Sequence, residues 1–249
     1  LPSRERGGGG RSAHEGRLFV SQRQFLRARG MFMAALSSFF FVSSAFAGAG
    51  EGKKVFDAAK CFACHQIKGP AKEKTIKDVL AKKGPELWYA GSKFKKEFLG
   101  GLLKDPKPIR PMEFYSHTKT NQGSHPKLSG KDAADVADFL MGLSPLRGLK
   151  TPEVKDAGIK PLANQRGRII FVKKQSCYGC HQVKEKGAVT GGLTGPSLAG
   201  AAERLSPDWV YAYLSNPRVF KPVKDMPDYA GILTDEEIRD LAAYVSSLN

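Results

Sequence analysis

The chain is poor in cysteine, in acidic residues and in long apolar runs. It has 4 cysteines in 249 residues, and 24 acidic side chains against 40 lysines and arginines. Its one long apolar run, residues 31–42, spans 12 residues, whereas a helix that crosses a bilayer needs about 20. Signals for β-strands are weak along the whole chain. These absences argue against a membrane-spanning bundle and against a fold rich in strands.

The four cysteines all lie in two copies of one pentapeptide pattern. Cys61-Phe62-Ala63-Cys64-His65 recurs 116 residues later as Cys177-Tyr178-Gly179-Cys180-His181. Two cysteines with this spacing can each form a thioether to one vinyl group of the same porphyrin, and C-x-x-C-H is the attachment signature of haem c. The histidine that follows is then held where its imidazole can bind the iron. The sequence therefore predicts two covalent haem c groups, one on Cys61 and Cys64 and one on Cys177 and Cys180.

Other uses of paired cysteines fit less well. A zinc ribbon has its two pairs about 15–20 residues apart, whereas 112 residues separate Cys64 from Cys177. A thioredoxin-like pair belongs in a βαβ unit, and the surroundings here are helical and rich in loops. A disulfide framework would not explain a histidine after both pairs.

The two halves of the chain repeat more than the pentapeptide. A glycine and an aromatic residue four positions apart precede each motif, as Gly52 with Phe56 and as Gly167 with Phe171. Each half ends in an amphipathic helix with a capping signal, Ser129 or Thr234. We expect an all-α fold of two tandem domains, each wrapped around one haem, in which the glycine and the aromatic residue pack against the last helix. The expected boundaries are 48–144 for the first domain, 145–161 for a linker and 162–249 for the second domain.

Residues 1–47 have the features of a signal peptide with some upstream residues. Arginines precede the short apolar run, and Ala45-Phe46-Ala47 is a small-x-small cleavage pattern before Gly48. We expect export to the periplasm, a mature chain that starts near Gly48, and no stable membrane insertion of that mature chain.

Each half resembles a class I (mitochondrial-type) cytochrome c, and the whole chain resembles a tandem dihaem cytochrome c. The resemblance rests on the two C-x-x-C-H motifs, on Gly84-Pro85 and Gly195-Pro196, and on Tyr213 to Met226 with the last helix. It implies that the carbonyls of Pro85 and Pro196 accept a hydrogen bond from the proximal histidines, and that Trp209 lies near a haem propionate. The first domain departs from this pattern because Phe98 stands where the tryptophan is expected, and because residues 113–128 form an insertion.

The axial ligands follow from the few soft donors available. His65 and His181 are the expected proximal ligands. Met226 is the expected distal ligand of the second haem, with Lys221, Lys224 or an open site as alternatives. Met112 is expected for the first haem, with His117 or His125 of the insertion as alternatives.

The formal net charge of +16 suggests partners with acidic docking surfaces. Residues 1–47 hold seven arginines and two glutamates, so the rest of the chain carries about +11. Scattered lysines argue against a nucleic-acid partner. We expect the lysines beside the distal loops to dock redox proteins: Lys104, Lys107, Lys221 and Lys224. We expect a protein that transfers single electrons and has no catalytic activity. The alternatives are the cytochrome subunit of a periplasmic dehydrogenase and a dihaem peroxidase-type enzyme.

Overall fold

The structure is a computed structural model that describes residues 48–113, 116, 118–144, 161–224 and 226–249. The predicted signal segment, 1–47, and all of the predicted linker except its last residue lie outside the described residues. The described residues belong to one compact unit, Ser44–Asn249. No helix in the described ranges combines the length and the apolar character that crossing a bilayer requires.

The first half is helical, with its core between the first and last helices. Ser129 caps the last of them, because its hydroxyl accepts the backbone N–H of Asp132 at 3.2 Å. The helices of the described part run in the order α1 (48–58), α2 (Ile76–Leu80), α3 (Ala90–Lys93), α4 (Lys96–Lys104) and α5 (Gly130–Met141). A 3₁₀ turn, Cys61–Ala63, carries the first cysteine motif.

The second half repeats this order. Thr234 and Glu237 form a capping box at the start of the last helix, as predicted. The helices are α6 (Pro161–Ile169), which continues as a π-helical turn (Ile170–Lys174), then α7 (Ala201–Arg204), α8 (Pro207–Ser215), α9 (Pro217–Phe220) and α10 (Asp235–Val245). A 3₁₀ turn, Cys177–Gly179, carries the second motif.

The predicted crossing of the first and last helices is confirmed in both halves. A Cβ added to Gly52 would lie 1.8 Å from the carbonyl oxygen of Asp135, and one added to Gly167 would lie 2.1 Å from that of Asp240. The aromatic residue one turn later fills the crossing: the ring of Phe56 lies 5.3 Å from Phe139, and the corresponding pair in the second half is 5.4 Å apart. Only glycine lets the two backbones approach this closely.

A small β-hairpin departs from the expected all-α fold. Strands β1 (Gln182–Glu185) and β2 (Ala188–Gly191) pair antiparallel directly after the second motif. Lys186 and Gly187, between them, have φ angles of 49° and 84°. A two-residue turn with both φ values positive suits the twist of a hairpin, and it usually contains asparagine or aspartate rather than lysine. The sequence therefore gave only a weak indication of a hairpin turn at this place.

The two halves pack directly against each other. Phe94 and Leu205 form an isolated antiparallel bridge, with the N–H of Lys95 donating to the carbonyl of Arg204 at 3.0 Å. Trp88 and Tyr89 of the first half belong to the core of the second half. Their rings lie 6.1 Å from Phe220 and 6.2 Å from Trp209 respectively, both nearly parallel.

Candidate haem-binding sites

The two cysteine motifs adopt the same local conformation. The residue before each motif, Lys60 or Ser176, has a left-handed backbone with φ of 54° or 50°. The N–H of each histidine then donates to the carbonyl of the first cysteine at 3.0 Å, which closes one turn. All four thiols are free of disulfides. Each motif therefore presents two thiols and an imidazole from a single tight turn.

The two histidine rings are fixed by backbone contacts. Nδ1 of His65 lies 2.8 Å from the carbonyl oxygen of Pro85, and Nδ1 of His181 lies 2.8 Å from that of Pro196. Because a carbonyl only accepts, Nδ1 carries the proton and donates, which leaves the Nε2 lone pair of each ring free for a metal. Burial lowers the pKa of both histidines, which favours the neutral form that a metal requires.

Glycines directly before these prolines keep the loops against the imidazoles. A Cβ at Gly84 would lie 2.7 Å from Cε1 of His65, and one at Gly195 would lie 2.6 Å from Cε1 of His181. The Gly-Pro pairs therefore place a carbonyl on the ring nitrogen and leave room for the ring. This is the contact that the resemblance implies, and the iron-binding role of the histidines stays a prediction.

The second half contains a cavity of about 610 Å³. This volume lies within the range of about 300–1,000 Å³ that is usual for cofactor and ligand pockets. Cys177, Cys180, His181 and Met226 all line it, together with apolar side chains from the helices around it. A covalent, six-coordinate haem needs two thiols, an imidazole and a further ligand such as the methionine sulfur. All of these groups line this one cavity.

The lysines proposed as alternative ligands are engaged elsewhere. Lys221 Nζ lies 2.8 Å from Oε2 of Glu86 in the first half. Lys224 Nζ lies 2.9 Å from Asp228 and donates to the carbonyl of Met226. The side chain of Lys224 is only 5% exposed. These two lysines are therefore not the free docking lysines that the sequence suggested.

The same cavity has a positively charged wall. Lys93, from the first half, lines it and is partly buried, with its ammonium 4.7 Å from the centre of the Trp209 ring. Burial, and then the nearby charges of Lys221 and Arg204, lower the pKa of Lys93 to about 7. No carboxylate of the described residues pairs with this ammonium, and Nε1 of Trp209 is buried without a hydrogen-bond acceptor.

The cations of this wall are what haem propionates would pair with. A partly buried ammonium without a carboxylate partner is costly, and an anion in the same cavity would offset that cost. Arg204 stands on the same wall and donates to the carbonyl of Ser197 at 2.7 Å. The residues of this cavity therefore fit haem c in volume, in the thiol and imidazole donors, and in counter-charge. Sequence reasoning found Trp209 but missed Lys93 and Arg204, because nothing in the local sequence of Lys93 indicates the other half as its neighbour.

The corresponding recess in the first half is much smaller. It measures about 30 Å³ and lies between Cys61, His65 and the segment that carries His125. A recess of that size accommodates about one water molecule, so its wall has to open for a porphyrin, although the donor set of Cys61, Cys64 and His65 matches the second motif. Among the described residues, those that line this recess include His125 and not Met112. His117 lies outside the described residues.

Comparison with known proteins agrees with the repeat. The model of the family described as Cytochrome c matches the chain twice, at residues 49–144 and 165–249. A protein of Aquifex aeolicus, named "Uncharacterized lipoprotein", is 37% identical over 76 residues, which is 29% of this chain and 36% of that protein. The chain thus spans about a third of the length of this relative. A chain of the Kuenenia stuttgartiensis reducing HAO-like protein complex is 20% identical, with coverage of 79% of this chain and 94% of that chain and a TM-score of 0.30.

Proposed function

Because the chain belongs to the cytochrome c family, we propose that it is an exported dihaem cytochrome that passes single electrons between redox partners. The proposed domains are 48–144 and 162–249, each wrapped around one haem, with 145–161 as linker. Export rests on the signal features of residues 1–47, which lie outside the described residues. When bound, a haem iron takes up and releases one electron without a bond changing elsewhere.

One observation carries the proposal most directly. Cys177, Cys180, His181 and Met226 line one cavity of about 610 Å³. His181 and Met226 would hold the iron of the second haem from two sides, which would leave no open position for a substrate. A site of this kind moves electrons and does not bind a reactant.

The chain's own residues shape this site for electron transfer. The Pro196 carbonyl fixes His181, and apolar side chains such as Phe171, Leu214 and Leu241 line the cavity around it. Lys224 donates to the backbone carbonyl of Met226 and so holds the loop that presents the sulfur. Rigid ligands keep the geometry alike in both oxidation states, which favours fast electron exchange.

Mass and spectroscopy test the proposal. Full-length protein made with a cytochrome c maturation system should gain the mass of two haems, and Cys177→Ser with Cys180→Ser should lose one. The matched pair Cys61→Ser with Cys64→Ser should lose the other. In the oxidised protein, Met226→Ala should abolish the weak far-red sulfur-to-iron band. A mass gain of fewer than two haems, or an unchanged band in Met226→Ala, would contradict the proposal.

A further inference from the structure

The two cavities are lined by corresponding side chains. Each recess takes one aromatic residue from its first helix, one cysteine and one histidine from its motif, and leucine or valine from the later elements. Seven such pairs occupy equivalent places in the two halves: Phe56 and Phe171, Cys61 and Cys177, His65 and His181, Leu87 and Leu198, Leu103 and Leu214, Val136 and Leu241, Leu140 and Val245. The first recess is therefore a closed version of the second cavity.

The same correspondence extends to the distal side. In the second half, Met226 and Pro227 line the cavity shortly before the capped helix α10. In the first half, His125 and Pro126 line the recess shortly before the capped helix α5. The segment before the last helix therefore contributes Met226 to the cavity of the second half and His125 to the recess of the first.

The two histidine rings that line the first recess lie close together. Their centroids are 5.9 Å apart, with the ring planes inclined by 45°. A metal–imidazole bond is about 2 Å long, so one iron bound by both imidazoles would hold their centres about 6 Å apart, which is close to their separation in the closed recess. Nδ1 of His125 lies 2.9 Å from the carbonyl of Pro126, and Nδ1 of His65 is bound by Pro85, so Nε2 is the free nitrogen on both rings.

The segment that carries His125 is anchored on both sides. Before it, the N–H of Asn121 donates to the carbonyl of Pro111 at 3.0 Å. After it, the N–H of Leu128 donates to the carbonyl of Leu103 at 2.9 Å. Met112 forms an isolated backbone bridge with Thr120 in this ladder and is 9% exposed. The methionine is thus buried where the segment begins, and the histidine lines the recess.

We propose that His125, and not Met112, is the distal ligand of the first haem. The inference rests on the proposed function and refines it, since the chain then holds one bis-histidine haem and one histidine–methionine haem. Methionine ligation raises the potential of a haem. The first haem is therefore the low-potential centre, and electrons run downhill from the first half to the second.

The far-red sulfur-to-iron band of the full chain with both haems tests the assignment. The oxidised wild type should show this band at the strength of one haem, and Met112→Leu should leave it unchanged. His125→Met, which keeps a donor at the position, should double the band and raise the lower midpoint potential. His125→Ala should turn one haem high-spin, whereas His117→Ala should not.

Opposite results would overturn the assignment. A wild-type band of two-haem strength that Met112→Leu halves would make Met112 the ligand. A high-spin signal in His117→Ala, together with a low-spin His125→Ala, would transfer the role to His117. The haem count separates failure of the ligand assignment from failure of the proposed function. Two covalent haems with a different ligand would contradict only the assignment, whereas fewer than two haems would contradict the assignment and the proposed function.

Discussion

At the scale of single residues, Lys93 is the least expected feature of the protein. A partly buried ammonium without a carboxylate partner is unfavourable, because it has lost part of its hydration without gaining an opposite charge. Its surroundings are aromatic rings and two further cations, Arg204 and Lys221. The position becomes favourable when a propionate of the cofactor lies in the same cavity. A residue of the first half then contributes to the electrostatics of the second haem.

Replacing this lysine should lower the midpoint potential of the second haem. A nearby positive charge opposes the extra positive charge of the oxidised iron, so its removal in Lys93→Met favours oxidation. Two unit charges about 10 Å apart interact by about 1.7 kcal/mol at an effective dielectric constant of about 20, which is about 70 mV for one electron. Redox titration checks this. Lys54→Met, which removes an exposed charge paired with Glu51, should shift the potential by less than a third as much.

At the scale of elements, the crossing of the first and last helices of each half organises the cavity. It orients the helix that leads into the cysteine motif, and it places Val136 and Leu140 of α5 in the wall of the recess. The glycine at the crossing has no room for a side chain in either half.

Gly52→Ala should destabilise the protein by about 3 kcal/mol or more, because the new Cβ would overlap the backbone of α5 and force the helices apart. Gly50→Ala is the matched control in the same helix. Nothing lies within 4 Å of its added Cβ, so it should be neutral or stabilise by up to about 1 kcal/mol. Denaturant unfolding of both variants gives the comparison. Equal midpoints for the two would show that the crossing is not tightly packed.

Much of the helical structure was predictable from the sequence, because the residues that specify each helix end and each crossing lie close to it in the chain. The cysteine motifs, the capping residues Ser129 and Thr234, and the glycine–aromatic pairs lie within a few residues of the structure they specify. The hairpin was missed because Lys186 is an unusual residue for a turn with positive φ. His125 was left as an alternative because it lies in the insertion, residues 113–128, which has no counterpart in the second half.

At the scale of the whole molecule, the packing of the two halves could not be predicted from the sequence. Contacts such as Lys221 with Glu86, or Arg110 donating to the carbonyl of Thr194, join residues 84 or more positions apart. No local pattern specifies such a pair. Glu86 is the most buried charged residue of this interface. Its side chain is 1% exposed and is bound by Lys82 and by Lys221.

Glu86→Gln should weaken the packing of the two halves. It leaves two lysines facing a neutral amide, and because those lysines are 24% and 35% exposed, we expect a loss of about 1–3 kcal/mol rather than the 3–5 kcal/mol of a fully buried pair. Thermal unfolding should show a lower midpoint. Asp105→Asn, in exposed pairs with Lys107 and Lys127, is the control and should leave the unfolding midpoint nearly unchanged, because exposed ion pairs contribute little to stability. A shift in Asp105→Asn as large as that in Glu86→Gln would contradict the role of the interface.

Electron exchange with an acidic redox protein should slow as salt rises, because exposed charges are screened over about 8–10 Å at physiological ionic strength. Lys104→Glu with Lys107→Glu should slow the low-salt rate in stopped-flow mixing, since both lysines are exposed. Rates that stay flat with salt in wild type and variant alike would show that docking is apolar.

The most direct test of the central claim is a spectroelectrochemical titration of the full protein, followed by carbon monoxide added to its reduced form. The account predicts two one-electron steps, with the far-red band following the higher one, and no binding of carbon monoxide, because both irons have two protein ligands. A haem that is high-spin or that binds carbon monoxide would reveal an open iron and contradict a protein that only carries electrons.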